Sequence, residues 1–297
     1  MIQVVELDET VAEHYAQIFY KVCTYFKIHT ISTGHTFSYD KYIFRMTDDT
    51  GIFQHAVYAV PDPSEGYTSD DNARALIMAG LLFKTTRGPK YLELAVIYLR
   101  FMLYAYNDGW FRNFMNYDHH FIEEKGSEDC FGRCVWALGF TASLTCLPNN
   151  VRMTADKMLR GTLSQYSSLT FLRAKAYSLI GLSFWNQPAA ADIINKLAAD
   201  INTAYKNHAE NSWQWFDNEL TYCNAVLPHA MLCAYDIAKI DDFKTTGLNS
   251  LKFLLNKTFY EDIFHPIGCK GWQQKDNSAA VFDEQPVEAC ATLLTCL

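Results

Sequence analysis

The sequence predicts an all-α protein, an (α/α)6 toroid of sequential helical hairpins that is incomplete at its C-terminus. Three observations carry this. Apolar residues recur with helical period in eight successive stretches, short breakers divide those stretches into pairs, and the pairs repeat every 50 to 60 residues or so, at about one hairpin plus its loop. Helices that alternate between inner and outer positions at such a period can close into a ring.

Taken in order, residues 11–26 read as a separate amphipathic helix, and the polar segment 29–40, with its Ser, Thr and Gly, reads as a linker. This sets residues 1–41 apart from a toroid domain spanning 42–297. The periodic stretches are 73–83, 91–106, 131–147, 153–163, 169–185, 189–205, 225–238 and 243–255. Arg87-Gly88-Pro89, Pro148-Asn149-Asn150 and Asn186-Gln187-Pro188 are connections short enough for antiparallel pairs. The first helix of each pair is apolar nearly all round and so belongs inside; the second carries Lys, Asp and Asn on one side and belongs outside. The longer connections also echo one another. Gly109-Trp110-Phe111 leads to Glu128-Asp129, Trp213-Gln214-Trp215 to Asn224, and Gly271-Trp272 to Asp283-Glu284. From Asp70 the count is four hairpins and the first helix of a fifth, inside which the sequence stops at Leu297 without a capping signal.

With 297 residues, 49% of them hydrophobic, the chain can bury one substantial core. Its formal charge of −8, with Lys and Arg scattered, leaves no basic stripe to track phosphates, which argues against a nucleic-acid partner. Neither a membrane span nor a signal peptide is legible, and six of the nine cysteines sit in apolar helical stretches, as buried thiols do. A cytoplasmic protein is expected, in which the sequon Asn256-Lys257-Thr258 is chance. There is no phosphate-binding glycine loop and no nucleophile elbow. Cys130 and Cys134 lack a second pair at zinc-site spacing, and His119-His120 lack matching ligands. No metal and no cofactor are predicted.

The chemistry-bearing residues gather at the starts of the inner helices. Two acid pairs, Asp48-Asp49 and Asp70-Asp71, stand close together, the second opening an inner helix with Arg74 one turn on. Ser, Thr and Asp are preferred N-caps and first-turn carboxylates favour the helix dipole, so capping explains one acid per helix but not two. The design recurs at Glu128-Asp129 with Arg133, where an i,i+4 pair could be local helix support alone. A third instance, Asp283-Glu284-Gln285-Pro286, continues to Glu288, and Pro286 fixes the helix start. Asn224 opens a further inner helix without an acid, as a cap or as a partner for a ligand hydroxyl. His229 follows, in a position more typical of a satisfied core histidine than of a base.

Acids converging on one mouth of a toroid, with Tyr67, Trp110, Trp213, Trp215 and Trp272 on the loops around it, suit a sugar: carboxylates and amides bind hydroxyls and aromatic faces stack on the ring. The plainer alternative is that the tryptophans plug the ends of the toroid. An inverting glycosidase needs a general acid and a general base on opposite sides of the scissile bond. The catalytic candidates are Asp71 or Asp129 paired with Glu284, with Asp70, Glu128 and Asp283 orienting water or substrate. Asp48, Asp49, His55, Arg74, Arg133, Asn224, His229, Gln285 and Glu288 complete the expected binding set.

The run Arg45-Met46-Thr47-Asp48-Asp49-Thr50-Gly51-Ile52-Phe53-Gln54-His55-Ala56, followed by Gly66-Tyr67 and Asp70-Asp71-Asn72-Ala73-Arg74-Ala75-Leu76, resembles a bacterial toroid domain often attached to glycosyltransferases. Residues 127–139 and 283–289 resemble its later motifs, so the likeness covers about 42–297. The resemblance implies a six-hairpin glycosidase-like fold in carbohydrate metabolism, attached in other proteins to a GT-B transferase of the family 4 kind. The helix at 11–26 is similar to the terminal helix of such a transferase, whose nucleotide-sugar domain is absent here.

Three functions follow as expectations. The first is a domain acting on glycosidic bonds of an oligosaccharide or glycan through paired carboxylates. The second is a non-catalytic glycan-binding or scaffolding module for a glycosyltransferase domain. The third is a sugar isomerase or epimerase, for which His55 and His229 are the acid–base candidates. Catalysis requires two differently tuned carboxylates at one cavity, whereas binding requires only aromatics and hydrogen-bonding groups.

Overall fold

The computed structural model describes residues 40–260 and 263–297. The predicted helix at 11–26, and the linker after it up to residue 39, lie outside the described residues. Within them the architecture is all-α: ten α-helices and a few short strands.

A short helix, α1 (Lys41–Met46), leads into a hairpin of β1 (Phe53–Val57) and β2 (Val60–Thr68), which then enters α2 (Ser69–Thr86) directly. The first hairpin of helices is α2 with α3 (Pro89–Ala105). The short strands β3 (Tyr106–Asn107), β4 (Trp110–Phe111) and β5 (Phe114–Met115) lie in the connection that follows. The second hairpin is α4 (Glu128–Ser143) with α5 (Asn149–Thr162), and the third is α6 (Leu172–Trp185) with α7 (Ala191–His208). After β6 (Glu219–Leu220) come α8 (Val226–Ala238) and α9 (Asp241–Thr258), the fourth hairpin. The strands β7 (Phe259–Tyr260), β8 (Ile263–Phe264) and β9 (Gln273–Gln274) precede the last helix, α10 (Pro286–Cys296).

Each even-numbered helix packs on the next: α2 on α4, α4 on α6, α6 on α8 and α8 on α10. These five form the inner wall, and α3, α5, α7 and α9 stand outside them. The four hairpins and the extra inner helix agree with the sequence count, and the helix bounds fall within a few residues of the periodic stretches. The reason is visible in the burial. On α4 every residue from Cys130 to Val135 is buried, whereas α5 buries only Val151, Ala155, Met158, Leu159 and Thr162.

The inner helices approach closely through small residues. A Cβ on Gly139 would stand 1.9 Å from the Gly181 carbonyl oxygen, and one on Gly132 would stand 2.7 Å from that of Ala174. The matched steps of seven residues show that α4 and α6 run parallel with backbone against backbone, the contact that small residues permit.

One element was not predicted. The segment carrying the Asp48-Asp49 motif is an antiparallel sheet in the order β1-β2-β5, with Tyr67 opposite both Phe53 and Met115. Its inward residues join Met46 and Phe101 in a small second core. Pro61 and Pro63 interrupt the alternation that marks a strand, and that masked it in the sequence.

Candidate functional site

The starts of α2 and α4, the turn before α8 and the entry to α10 meet at one mouth of the inner wall. A cavity of about 280 Å3 opens there, lined by Arg74, Arg133, Tyr222, Cys223, Trp272, Gln285 and Val287. Two carboxylates stand behind this lining. Asp70 Oδ1 lies 2.9 Å from Arg133 Nε and its Oδ2 3.6 Å from Arg74. Asp129 Oδ2 accepts a 2.6 Å hydrogen bond from the Tyr222 hydroxyl.

Arg133 is the centre of the cluster. Its guanidinium sits 4.5 Å over the Tyr177 ring, is 9% exposed, and reaches Cys223 Sγ at 3.7 Å. Burial works against its charge, but Tyr177, Asp70, Cys223 and Asp129 around it outweigh that and raise its pKa. For Asp70 the balance falls the other way. Burial pushes its carboxyl up, and the pull of Arg133 and Arg74 does not offset this. Tyr222 is likewise pushed up, by burial first and then by the Asp129 carboxylate it bonds.

The Asp70 Oδ1 to Arg133 Nε contact lacks the alignment of a hydrogen bond. Asp70 Oδ1, Arg133 Nε and the Tyr177 hydroxyl are all buried without a hydrogen-bond partner among the described residues. Asp70 Oδ1 and Arg133 Nε meet as an ion pair at 2.9 Å, which leaves the Tyr177 hydroxyl as the one of the three without a charged partner at hydrogen-bond distance.

Other expected residues are occupied elsewhere. Asp71 accepts from the Thr68 hydroxyl (2.6 Å) and from Arg74 (2.6 Å), while its own N–H donates to Thr68 Oγ1. This reciprocal pair starts α2. Glu128 takes the N–H groups of Thr170 (2.7 Å) and Phe171 (2.9 Å) and the Thr170 hydroxyl (2.8 Å), so it caps the neighbouring helix α6. Burial raises its pKa, but those hydrogen bonds win and the net shift is downward. Asn224 is fully buried and spends its side chain on Thr221, Arg173 and Glu288. Glu288 accepts from the backbone N–H groups of Cys223 and Asn224 and from the Asn224 amide, so it clamps the turn that carries Tyr222.

Asp48 closes its own turn by accepting from the N–H groups of Thr50 and Gly51, and its other oxygen takes the Tyr67 hydroxyl at 2.6 Å. Tyr67 is wholly buried and is core rather than a stacking surface. Asp49 is exposed, and His55 is exposed on β1, outside the cavity. Trp110 and Trp213 are buried with their indole N–H groups bonded to the carbonyls of Gly126 and Asp217, and Trp215 is fully buried. These three pack the loops. Only Trp272 of the expected tryptophans lines the cavity, with Tyr222 at 6.4 Å.

Asp283 and Glu284 are exposed, and neither side chain makes an ion pair or hydrogen bond among the described residues. Asp283 takes a left-handed backbone (φ 59°) before α10. Gln285 does line the cavity. His229, half-buried on α8, has its ring nearly perpendicular to that of Trp136 with the centroids 5.9 Å apart, and desolvation pushes its pKa down to about 4. Tyr177, Tyr222 and Cys223 were not singled out in the sequence. The first looks like any core aromatic, and the other two precede a helix whose opening carries no acid.

Among the described residues no group of three or more His, Cys, Asp or Glu side chains is placed to hold a metal ion. No described helix is long and apolar enough to cross a membrane.

Fold and site together define an all-α toroid of helical hairpins with a charged, aromatic-rimmed cavity at one mouth. No family model matches the sequence, and no curated protein matches it. Among solved structures, cellobiose 2-epimerase from Spirochaeta thermophila is similar with a TM-score of 0.51, over 98% of this chain and 98% of that one, at 11% identity. That likeness establishes the (α/α)6 fold.

Proposed function

We propose that the mouth cavity binds an oligosaccharide and acts on a glycosidic bond, with Asp70 and Asp129 as the carboxylate pair. The observation that carries this is the pair of carboxylates, Asp70 on Arg133 and Asp129 on Tyr222, behind a cavity rimmed by Trp272 and Tyr222. A sugar offers hydroxyls to the polar groups of the lining and a ring face to its aromatics. The two carboxylates differ in environment: Asp70 is buried with a raised pKa and suits a proton donor, while Asp129 is held by Tyr222 and suits the partner role. This pair replaces Asp71 with Glu284, since Asp71 is engaged in its cap and Glu284 is exposed without a contact to the lining, whereas Asp70 reaches Arg133 and Asp129 reaches Tyr222.

The test is proton NMR of the protein with α- and β-linked manno- and gluco-oligosaccharides, following anomeric signals with time. New reducing ends that vanish in Asp70→Asn and Asp129→Asn support the reading. Ligand broadening without turnover would replace it with a glycan-binding module. The association with a glycosyltransferase rests on the sequence motifs at 45–76, and the same module reading would suit such a partner.

A second reading, a sugar epimerase, is favoured by the fold shared with cellobiose 2-epimerase and by the neutral imidazole of His229 on the inner wall. With His55 outside the cavity, the two-histidine pair is not assembled, and His229 would act with a carboxylate or Tyr222. In the same spectra an epimerase would convert the reducing-end sugar without releasing new reducing ends.

A further inference from the structure

A second groove lies away from the mouth. It lies on the outer wall, between the connection that follows α7 and the exposed face of α9, and encloses about 500 Å3. The α9 side is contributed by Asn249, Lys252, Phe253, Asn256 and Lys257, whose spacing puts them on one helix face. Asn211, Ser212 and Gln214 form the opposite side.

Three features set this groove apart from ordinary solvated helix surface. Its floor is aromatic: Phe253 is only 9% exposed and is backed by Trp213 edge-on at 5.1 Å and Trp215 at 6.1 Å. Its rim is amide and hydroxyl. The side chains of Asn211, Ser212 and Asn256 have no hydrogen-bond partner among the described residues, so their donors and acceptors are free. Its charge is of one sign. Lys252 and Lys257 have no carboxylate partner among the described residues, no acid lines the groove, and the loop's own Glu210 is held by Lys275 at 2.8 Å.

We propose that this groove is a second binding site, on the outer wall, for an acidic oligosaccharide. Amides and a serine hydroxyl meet sugar hydroxyls, the Phe253 edge meets the apolar face of a ring, and the two ammonium groups meet a carboxylate or ester anion carried by the sugar. The site is independent of the mouth cavity and of the chemistry proposed there.

The experiment is a 1H–15N titration of the intact chain with tri-galacturonate, with a neutral trisaccharide, with a single-stranded oligonucleotide and with inorganic phosphate. Tri-galacturonate is expected to shift amides at 211–214 and 249–257 with saturating behaviour. The double variant Lys252→Glu/Lys257→Glu, on the solvent face of α9, is expected to weaken binding by about tenfold or more, and Asp129→Asn to leave it unchanged. Absence of any shift overturns the proposal. So does equal binding of the neutral sugar, which would make the lysines irrelevant. Equal binding of phosphate alone, or tighter binding of the oligonucleotide, would overturn it by showing that charge and not sugar is read.

Discussion

Glu288 ties the last helix to the mouth, and its removal tests how the site is held. Its carboxylate, 4% exposed, receives the backbone N–H groups of Cys223 and Asn224 and the Asn224 side-chain amide. The next residue outward in that turn is Tyr222, whose hydroxyl bonds Asp129. In Glu288→Ala three buried donors lose their acceptor, at about 1–3 kcal/mol each. Relief from burying a carboxylate offsets part of this, since burial pushes its pKa up. A net loss of about 3–5 kcal/mol follows, the range for breaking a buried charged contact by removing one partner. Glu288→Gln keeps one acceptor oxygen and should lose about 1–2 kcal/mol, the value of a hydrogen bond or so. Urea melts followed by far-ultraviolet circular dichroism give the energies. Amide exchange at residues 222–225 under native conditions gives the location, and should quicken in Glu288→Gln while exchange in α4 stays slow. A loss under about 1 kcal/mol in the alanine variant, or exchange that quickens uniformly, would refute the clamp.

Gly139→Ala should destabilise by about 3 kcal/mol or more, because its Cβ meets the Gly181 carbonyl at 1.9 Å and the two inner helices must separate; a melt within about 0.5 kcal/mol of the parent would mean the helices are not in backbone contact. Glu128→Ala removes a cap on α6 and should cost about 1–2 kcal/mol at neutral pH. Because the folded pKa of Glu128 is lowered, its contribution is present above the unfolded carboxyl pKa and is lost as pH falls through the folded one, so the difference between variant and parent should shrink in acid. His229 has a folded pKa pushed down to about 4. The unfolded chain therefore binds the extra proton between about pH 6.5 and 4, and the parent should lose about 3 kcal/mol across that window that His229→Phe does not lose. An imidazole resonance titrating near 6.5 would show that the ring is solvated.

The hairpin order was legible because the cause is coarse. Inner helices such as α4 must be apolar on almost every side, and outer ones such as α5 on a single stripe, and both patterns survive in a one-dimensional reading. The sheet β1-β2-β5 was not, since Pro61 and Pro63 break its alternation. At the mouth, the sequence indicated which turns converge but not which side chains remain free after local bonds are made. Asp71 and Asp48 are each answered within a few residues, by Thr68 and by Thr50 and Gly51, yet Asp48 is also answered by Tyr67. Glu128 is answered 42 residues away by Thr170. A local rule cannot see that last kind of partner. The tryptophans were misread for a similar reason. An aromatic on a loop is exposed only if the loop leaves it so, and Trp110 stacks on Phe131 at 4.3 Å beneath its own loop.

The doubled acids can now be separated by what each member does. At the start of α2, Asp71 is the capping acid, and Asp70 is left facing Arg133. At the start of α4, Glu128 caps the adjacent helix and Asp129 is left facing Tyr222. In both pairs one carboxylate satisfies helix ends and the other points at the same guanidinium-centred cavity, which a requirement for capping alone would not produce. At α10 the pattern differs. Asp283 and Glu284 are both exposed, and the buried acid is Glu288, in the first turn of the helix, bonded to the turn beneath Tyr222. The third acid motif therefore supports the mouth rather than lining it, so a substitution at Glu284 should leave ligand binding at the mouth unchanged while one at Asp70 or Asp129 should abolish it.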